Sequence, residues 1–144
     1  MTQVPVVLLG HGDYASGVRS AVELILGPQR ELADVSLAPE GSTEQVTADV
    51  KAELERLGYL DSGAAGALVL VDLFGGSPAN AVSAMALADP RLQVVAGLNL
   101  PMALEVLTSS EGSAERLATL ALGAGTDGVI DVGAKVRALQ AAPG

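Results

Sequence analysis

Val4-Pro5-Val6-Val7-Leu8-Leu9-Gly10-His11-Gly12 is the stretch on which the reading of this chain turns. A short apolar run rich in β-branched residues and stopped at once by glycines reads as a buried parallel strand ending in a tight turn. The turn opens a helix in which Val18, Val22 and Ile25 repeat at i, i+4 and i+7, and Gly27-Pro28 supplies the stop.

The same alternation continues outward. Leu32, Val35 and Leu37 mark a second short strand with imperfect alternation, closed by Pro39-Glu40-Gly41. Ser42 followed by Gln45 forms a capping-box pattern, and Val46, Val50, Leu54 and Leu57 define one helical face up to Gly58. Ala67 to Val71 is the strongest buried-strand signal and runs into Asp72-Leu73-Phe74-Gly75-Gly76-Ser77-Pro78. Ser77 is expected as the N-cap of an Ala-rich helix reaching about Leu87, with Pro78 at its first position. Asp89-Pro90 precedes a fourth strand, Gln93 to Ala96, and Pro101 begins a fourth helix. Ser113, Arg116, Leu117, Leu120 and Leu122 suggest a fifth helix closed by a Gly123 to Gly128 turn region, and Val129 to Val132 reads as a last short strand. Strands alternating with helices predict an α/β fold with a mainly parallel sheet and right-handed crossovers.

At 144 residues, positions 1–144 are expected to form one domain that removes roughly two-thirds of its unfolded surface from water. With two Tyr, one Phe and no Trp, the core must be built from Ala, Val, Leu and Ile, and aromatic platforms for stacking bases are excluded. Seventeen acidic against eight basic residues give a formal charge of -9, which repels phosphate backbones and anionic lipid surfaces and makes a basic protein surface the natural partner. No cysteine is present for a disulfide, a thiol nucleophile or a thiolate metal site. Met1-Thr2-Gln3 leads into the apolar run without a basic leader, and no stretch approaches the ~18 apolar residues of a membrane span. A cytoplasmic protein is expected, meeting a membrane only indirectly.

In an open α/β sheet, ligands bind beyond the carboxyl ends of the strands, near the point where strand order reverses. His11, Asp72 with its Gly-Gly-Ser-Pro turn, and Asn99-Leu100-Pro101 all follow strands and should share that edge. A neutral imidazole can accept a phosphoryl group through one ring nitrogen while the other donates a hydrogen bond. A carboxylate at Asp72 would fix the tautomer and stabilise the charged ring that forms. Gly12, Gly75, Gly76, Ser77 and the start of the helix after them would meet the phosphoryl oxygens. No metal or cofactor enters this chemistry. Asp13 is read simply as a cap or first-turn acid.

These residues resemble a known family, the mannose-type enzyme IIA domains of the bacterial phosphoenolpyruvate-dependent phosphotransferase system. The resemblance rests on Gly10-His11-Gly12 with Ala15, on Val71 to Pro78 with Asn80, and on Gly97-Leu98-Asn99-Leu100-Pro101-Met102. It implies that His11 is the phosphorylated histidine, Asp72 its orienting aspartate and Ser77 a phosphate contact. It further implies a three-layer sandwich, donation by the histidine-containing phosphocarrier protein, and acceptance by a IIB component. With no IIB domain after the IIA-like part, that acceptor is expected to be a separate protein. The resemblance also implies a homodimer exchanging a C-terminal strand, which would give Val129 to Val132 a place.

Several rivals differ in chemistry. A dinucleotide fingerprint is disfavoured because Gly17 is misplaced for the third glycine. A receiver-type domain phosphorylated on Asp72 would need further carboxylates for magnesium, where this chain has His11 and only Asp13 nearby. A phosphotransfer subunit of a dihydroxyacetone kinase resembles the fold but usually lacks the Gly-Gly-Ser-Pro-x-Asn run, and a non-catalytic module holding an anion or partner loop would take no covalent label.

Overall fold

In the computed structural model, which describes residues 2–59 and 65–141, four strands and six helices follow one another, the first nine elements in the order the sequence pattern implies and the last a helix where a strand is expected. They are β1 (Val6–His11), α1 (Tyr14–Leu26), β2 (Leu32–Leu37), α2 (Thr43–Arg56), β3 (Ala67–Val71), α3 (Gly76–Ala88), β4 (Leu92–Ala96), α4 (Leu100–Thr108), α5 (Ala114–Asp127) and α6 (Val132–Ala141). All strand pairs are parallel and the sheet order is β2-β1-β3-β4.

The continuous apolar runs of β1 and β3 follow from burial on both faces. Val6 and Leu8 of β1 and Leu68 and Leu70 of β3 pack with α1, α4 and α5, whereas Val7, Leu9, Val69 and Val71 pack with α2 and α3. The result is the expected three-layer sandwich. Leu8 and Leu70 are fully buried, so truncating either to Ala would cost about 2–5 kcal/mol. β2 alternates less cleanly because it is an edge strand, and its Asp34 is matched by the Arg19 guanidinium of α1 at 2.9 Å.

Three local expectations are corrected. Ser77 is not the N-cap of α3 and Pro78 is not its first residue. Gly75 and Gly76, at φ 93° and 82°, turn the chain so that Gly75 occupies the cap position and α3 starts at Gly76. The Gly123 to Gly128 segment is not a turn region, since α5 continues to Asp127. Two of its glycines serve close packing: a Cβ on Gly125 would lie 2.6 Å from Met102 Cε, and one on Gly128 would lie 2.5 Å from Pro101 Cβ. Val129 to Val132 forms no strand within the single chain. Asp131 Oδ1 instead accepts from the Ala134 N–H at 2.9 Å and starts α6, all of whose classified side chains lie outside the core.

Candidate functional site

β1 and β3 lie side by side at the centre of the sheet, and their onward connections leave toward opposite edges. The crevice at their carboxyl ends is therefore the point of strand-order reversal. His11 is the last residue of β1 and Asp72 follows the last residue of β3. The backbone holds them in register, because the Asp72 N–H donates to the Leu9 carbonyl at 3.0 Å.

The two side chains meet directly. His11 Nδ1 lies 2.7 Å from Asp72 Oδ2, and the His11 backbone N–H donates to the same oxygen at 2.9 Å. Asp72 Oδ1 accepts from the Leu73 N–H at 2.8 Å. Gly10 leaves room for this approach, since a Cβ there would stand 3.2 Å from Asp72 Oδ2. Burial pushes the Asp72 carboxyl upward, but the hydrogen bonds from His11 N–H, the His11 ring and Leu73 N–H outweigh it and hold the group below the usual carboxylate range. The carboxylate is an acceptor only, so in the neutral ring the pairing assigns the proton to His11 Nδ1 and leaves the lone pair on Nε2.

The Asp72 side chain is 8% exposed, whereas that of His11 is 46% exposed. A sheltered anion thus orients an accessible ring. The Nε2 edge faces the start of α3, with Nε2 and Cε1 each 3.6 Å from where a Gly76 Cβ would stand. Ser77 is half-buried in the first turn of α3, and its hydroxyl has no hydrogen-bond partner among the described residues. Gly12 adjoins His11 at φ 52°, but its N–H already donates to the Leu37 carbonyl at 3.0 Å. It is a turn residue here, and the expectation that its N–H meets a ligand is set aside.

Asn99 shares the edge but turns away from His11. Its Oδ1 accepts from the Met102 N–H and its Nδ2 donates to the Gly125 carbonyl, both at 3.0 Å, tying α4 to α5. Tyr14 was missed by sequence reasoning; its hydroxyl donates to the Leu98 carbonyl across the rim. Leu73, Phe74 and Tyr14 leave apolar surface exposed on the elements that carry the site.

Fold and site together define a class: a parallel α/β domain presenting one aspartate-oriented histidine at its topological switch point. Residues 5–120 match the family described as "PTS system fructose IIA component". Over 134 residues the chain is 31% identical to the mannose-specific EIIAB component of the phosphotransferase system of Escherichia coli (strain K12), covering 92% of this chain and 40% of that protein. It is 32% identical over 115 residues to the fructose-specific EIIA component of Bacillus subtilis (strain 168), covering 75% of this chain and 71% of that protein. Among solved structures, the mannose/sorbose specific IIA subunit from Enterococcus faecalis aligns with a TM-score of 0.79 at 31% identity, covering 90% of this chain and 94% of that one. The chain thus spans about two fifths of the length of its E. coli relative. It belongs to the family of phosphotransferase-system IIA components.

Proposed function

We propose that this chain is a phosphoryl carrier of a sugar phosphotransferase system, taking the group from the histidine-containing phosphocarrier protein on His11 and passing it to a IIB component. The observation that carries the reading is the 2.7 Å pairing of His11 Nδ1 with a sheltered Asp72 carboxylate, beside a free and accessible Nε2. Nε2 attacks phosphorus as the donor's N–P bond breaks, and the donor imidazole keeps that electron pair. The Nδ1 proton stays where it is, so the phosphorylated ring carries positive charge, which Asp72 stabilises. Onward transfer reverses these roles: the Nε2–P bond breaks as the acceptor's bond forms. No cofactor is required, and the phosphoryl group is cargo.

The surroundings suit that cargo. Transfer spreads negative charge over three oxygens. Gly75, Gly76 and Ser77 lie at the start of α3, where backbone N–H groups and the helix dipole favour anions. A receiver-type reading is less well served, because Asp72 is already engaged by three N–H donors. Among the described residues no three His, Cys, Asp or Glu side chains gather to hold a metal.

The assembly is proposed as a cytoplasmic homodimer. Among the described residues β4 pairs only with β3, and Val129, Ile130 and Val132 are 79%, 50% and 67% exposed. An open sheet edge and an apolar segment without a place in its own domain support exchange between two copies. No helix among the described residues is long and apolar enough to cross a membrane.

Incubating the purified chain with phosphoenolpyruvate, enzyme I and the phosphocarrier protein tests the reading. An acid-labile, base-stable phosphate on His11 is expected, absent from His11→Gln. Label surviving in that variant, or a base-labile acyl phosphate on Asp72, refutes the assignment.

A further inference from the structure

Tyr14 opens α1 three positions after His11, yet its hydroxyl reaches a carbonyl 84 positions further along the chain, that of Leu98 in the β4–α4 loop. The residue is 45% exposed, so core packing alone does not account for a tyrosine there. The Leu98 and Gly97 N–H groups both donate to the Val71 carbonyl at 3.0 Å. Val71 leads into Asp72, whose carboxylate holds the His11 backbone and ring. The contacts close a circuit around the rim: from the His11 loop to Tyr14, to Leu98, to the end of β3, and back through Asp72 to His11.

The circuit matters because the start of α1, held to the core by the buried Ala15, has no other side-chain hydrogen bond to the rim among the described residues. Asp13 stands at its cap position but makes no side-chain cap bond. The Ser16 hydroxyl and the Gly17 N–H both donate to the Asp13 carbonyl, within the same turn. Tyr14 is the residue of that turn whose side chain reaches another loop of the rim.

We propose that Tyr14 is a positioning residue for His11: its hydroxyl ties the His11 loop and the first turn of α1 to the β4–α4 loop, keeping Nδ1 on Asp72 while a partner protein presses on the rim. The kinetic part of this proposal rests on the phosphoryl-carrier reading; its spectroscopic part does not.

The test compares Tyr14→Phe, which keeps the ring and removes the hydroxyl, with Ser16→Ala, which loses a bond confined to the helix. In transfer from the phosphocarrier protein, Tyr14→Phe should lower kcat about fivefold to tenfold with KM unchanged, the pattern of a lost orienting contact. In nitrogen NMR of the unphosphorylated protein, its His11 should shift from a single Nδ1–H tautomer toward a mixture. Ser16→Ala should change neither. Wild-type kcat and tautomer in Tyr14→Phe would overturn the proposal. So would an effect confined to KM, which would make Tyr14 a partner contact, or equal losses in Ser16→Ala, which would reduce its role to helix stability. Should the wild type take no phosphoryl group, the carrier reading fails and the tautomer measurement alone decides the role of Tyr14.

Discussion

Ser42, Asn99, Ser113 and Asp131 each turn a side-chain oxygen back onto a backbone N–H in the first turn of α2, α4, α5 or α6, at 3.1, 3.0, 3.3 and 2.9 Å. The two helices that begin beside His11 have no side-chain cap. Asp13, before α1, lies at φ −91° and ψ 14°, outside the extended conformation that aims a cap, and Gly75, before α3, has no side chain to offer. A side-chain cap stabilises a helix by about 1 kcal/mol, so leaving two helices uncapped gives up stability at one rim. What that rim gains is unclaimed N–H donors and two positive dipole ends around an oriented imidazole. The two uncapped helix starts flank His11, where the proposed phosphoryl group would arrive.

The comparison can be broken most severely at Asp72. Asp72→Asn keeps an acceptor for the ring but removes its charge, and transfer is expected to fall about 100-fold or more. Phosphate incorporation over time checks this, and a loss under threefold would remove the carboxylate from the chemistry. Gly76→Ala comes next. Its φ of 82° makes any side chain strained by about 1–2 kcal/mol, and the new methyl would sit against the Nε2 edge of His11. Transfer should drop further than stability, as seen by pairing rate measurements with thermal melts.

The capped helices should behave in the opposite way. Ser42→Ala and Ser113→Ala should each lower stability by about 1 kcal/mol, or about 2–4 °C in Tm, with transfer unchanged. Asp13→Ala should move Tm less than either. The smallest effects lie at the far edge of the sheet, where Tyr59, Asp89 and Arg91 are linked. The Arg91 and Tyr59 hydrogen bonds hold Asp89 down to about 2, while burial and Asp89 push Tyr59 up to about 12. Stability from Asp89 is therefore present above the ordinary carboxylate range and lost as pH falls toward about 2. That from Tyr59 is present below the usual tyrosine value near 10 and lost as pH rises toward about 12. Denaturant melts across pH should show both slopes, and Tyr59→Phe should remove the alkaline one.

Much of this was legible because its signals are local. The runs of β1 and β3 announce two-sided burial, and Ser42 with Gln45 announces α2, although Gln45 turns its amide to Asp49 rather than back to the cap. His11 and Asp72 were readable as strand-end residues, and the sheet order put them together. The misreadings share another cause. Ser77-Pro78 looks like a helix start, but two preceding glycines able to adopt positive φ take the turn first. Gly125 and Gly128 look like breakers until Met102 and Pro101 are seen against them. Val129 to Val132 is a different case: it has strand composition, and in the single chain, which gives it no partner edge, the Asp131 cap starts α6 instead. The Tyr14 bond spans 84 positions, beyond any periodicity.

Backbone amide shifts on phosphorylation test the account most directly. When His11 takes the group, the largest changes should fall on the amides at the starts of α1 and α3, from Asp13 to Ala15 and from Gly75 to Ala79, while those opening α2, α5 and α6 stay in place. Phosphorylation without movement at α3, or with equal movement at the capped helices, would contradict the claim that the open helix ends receive the phosphoryl oxygens.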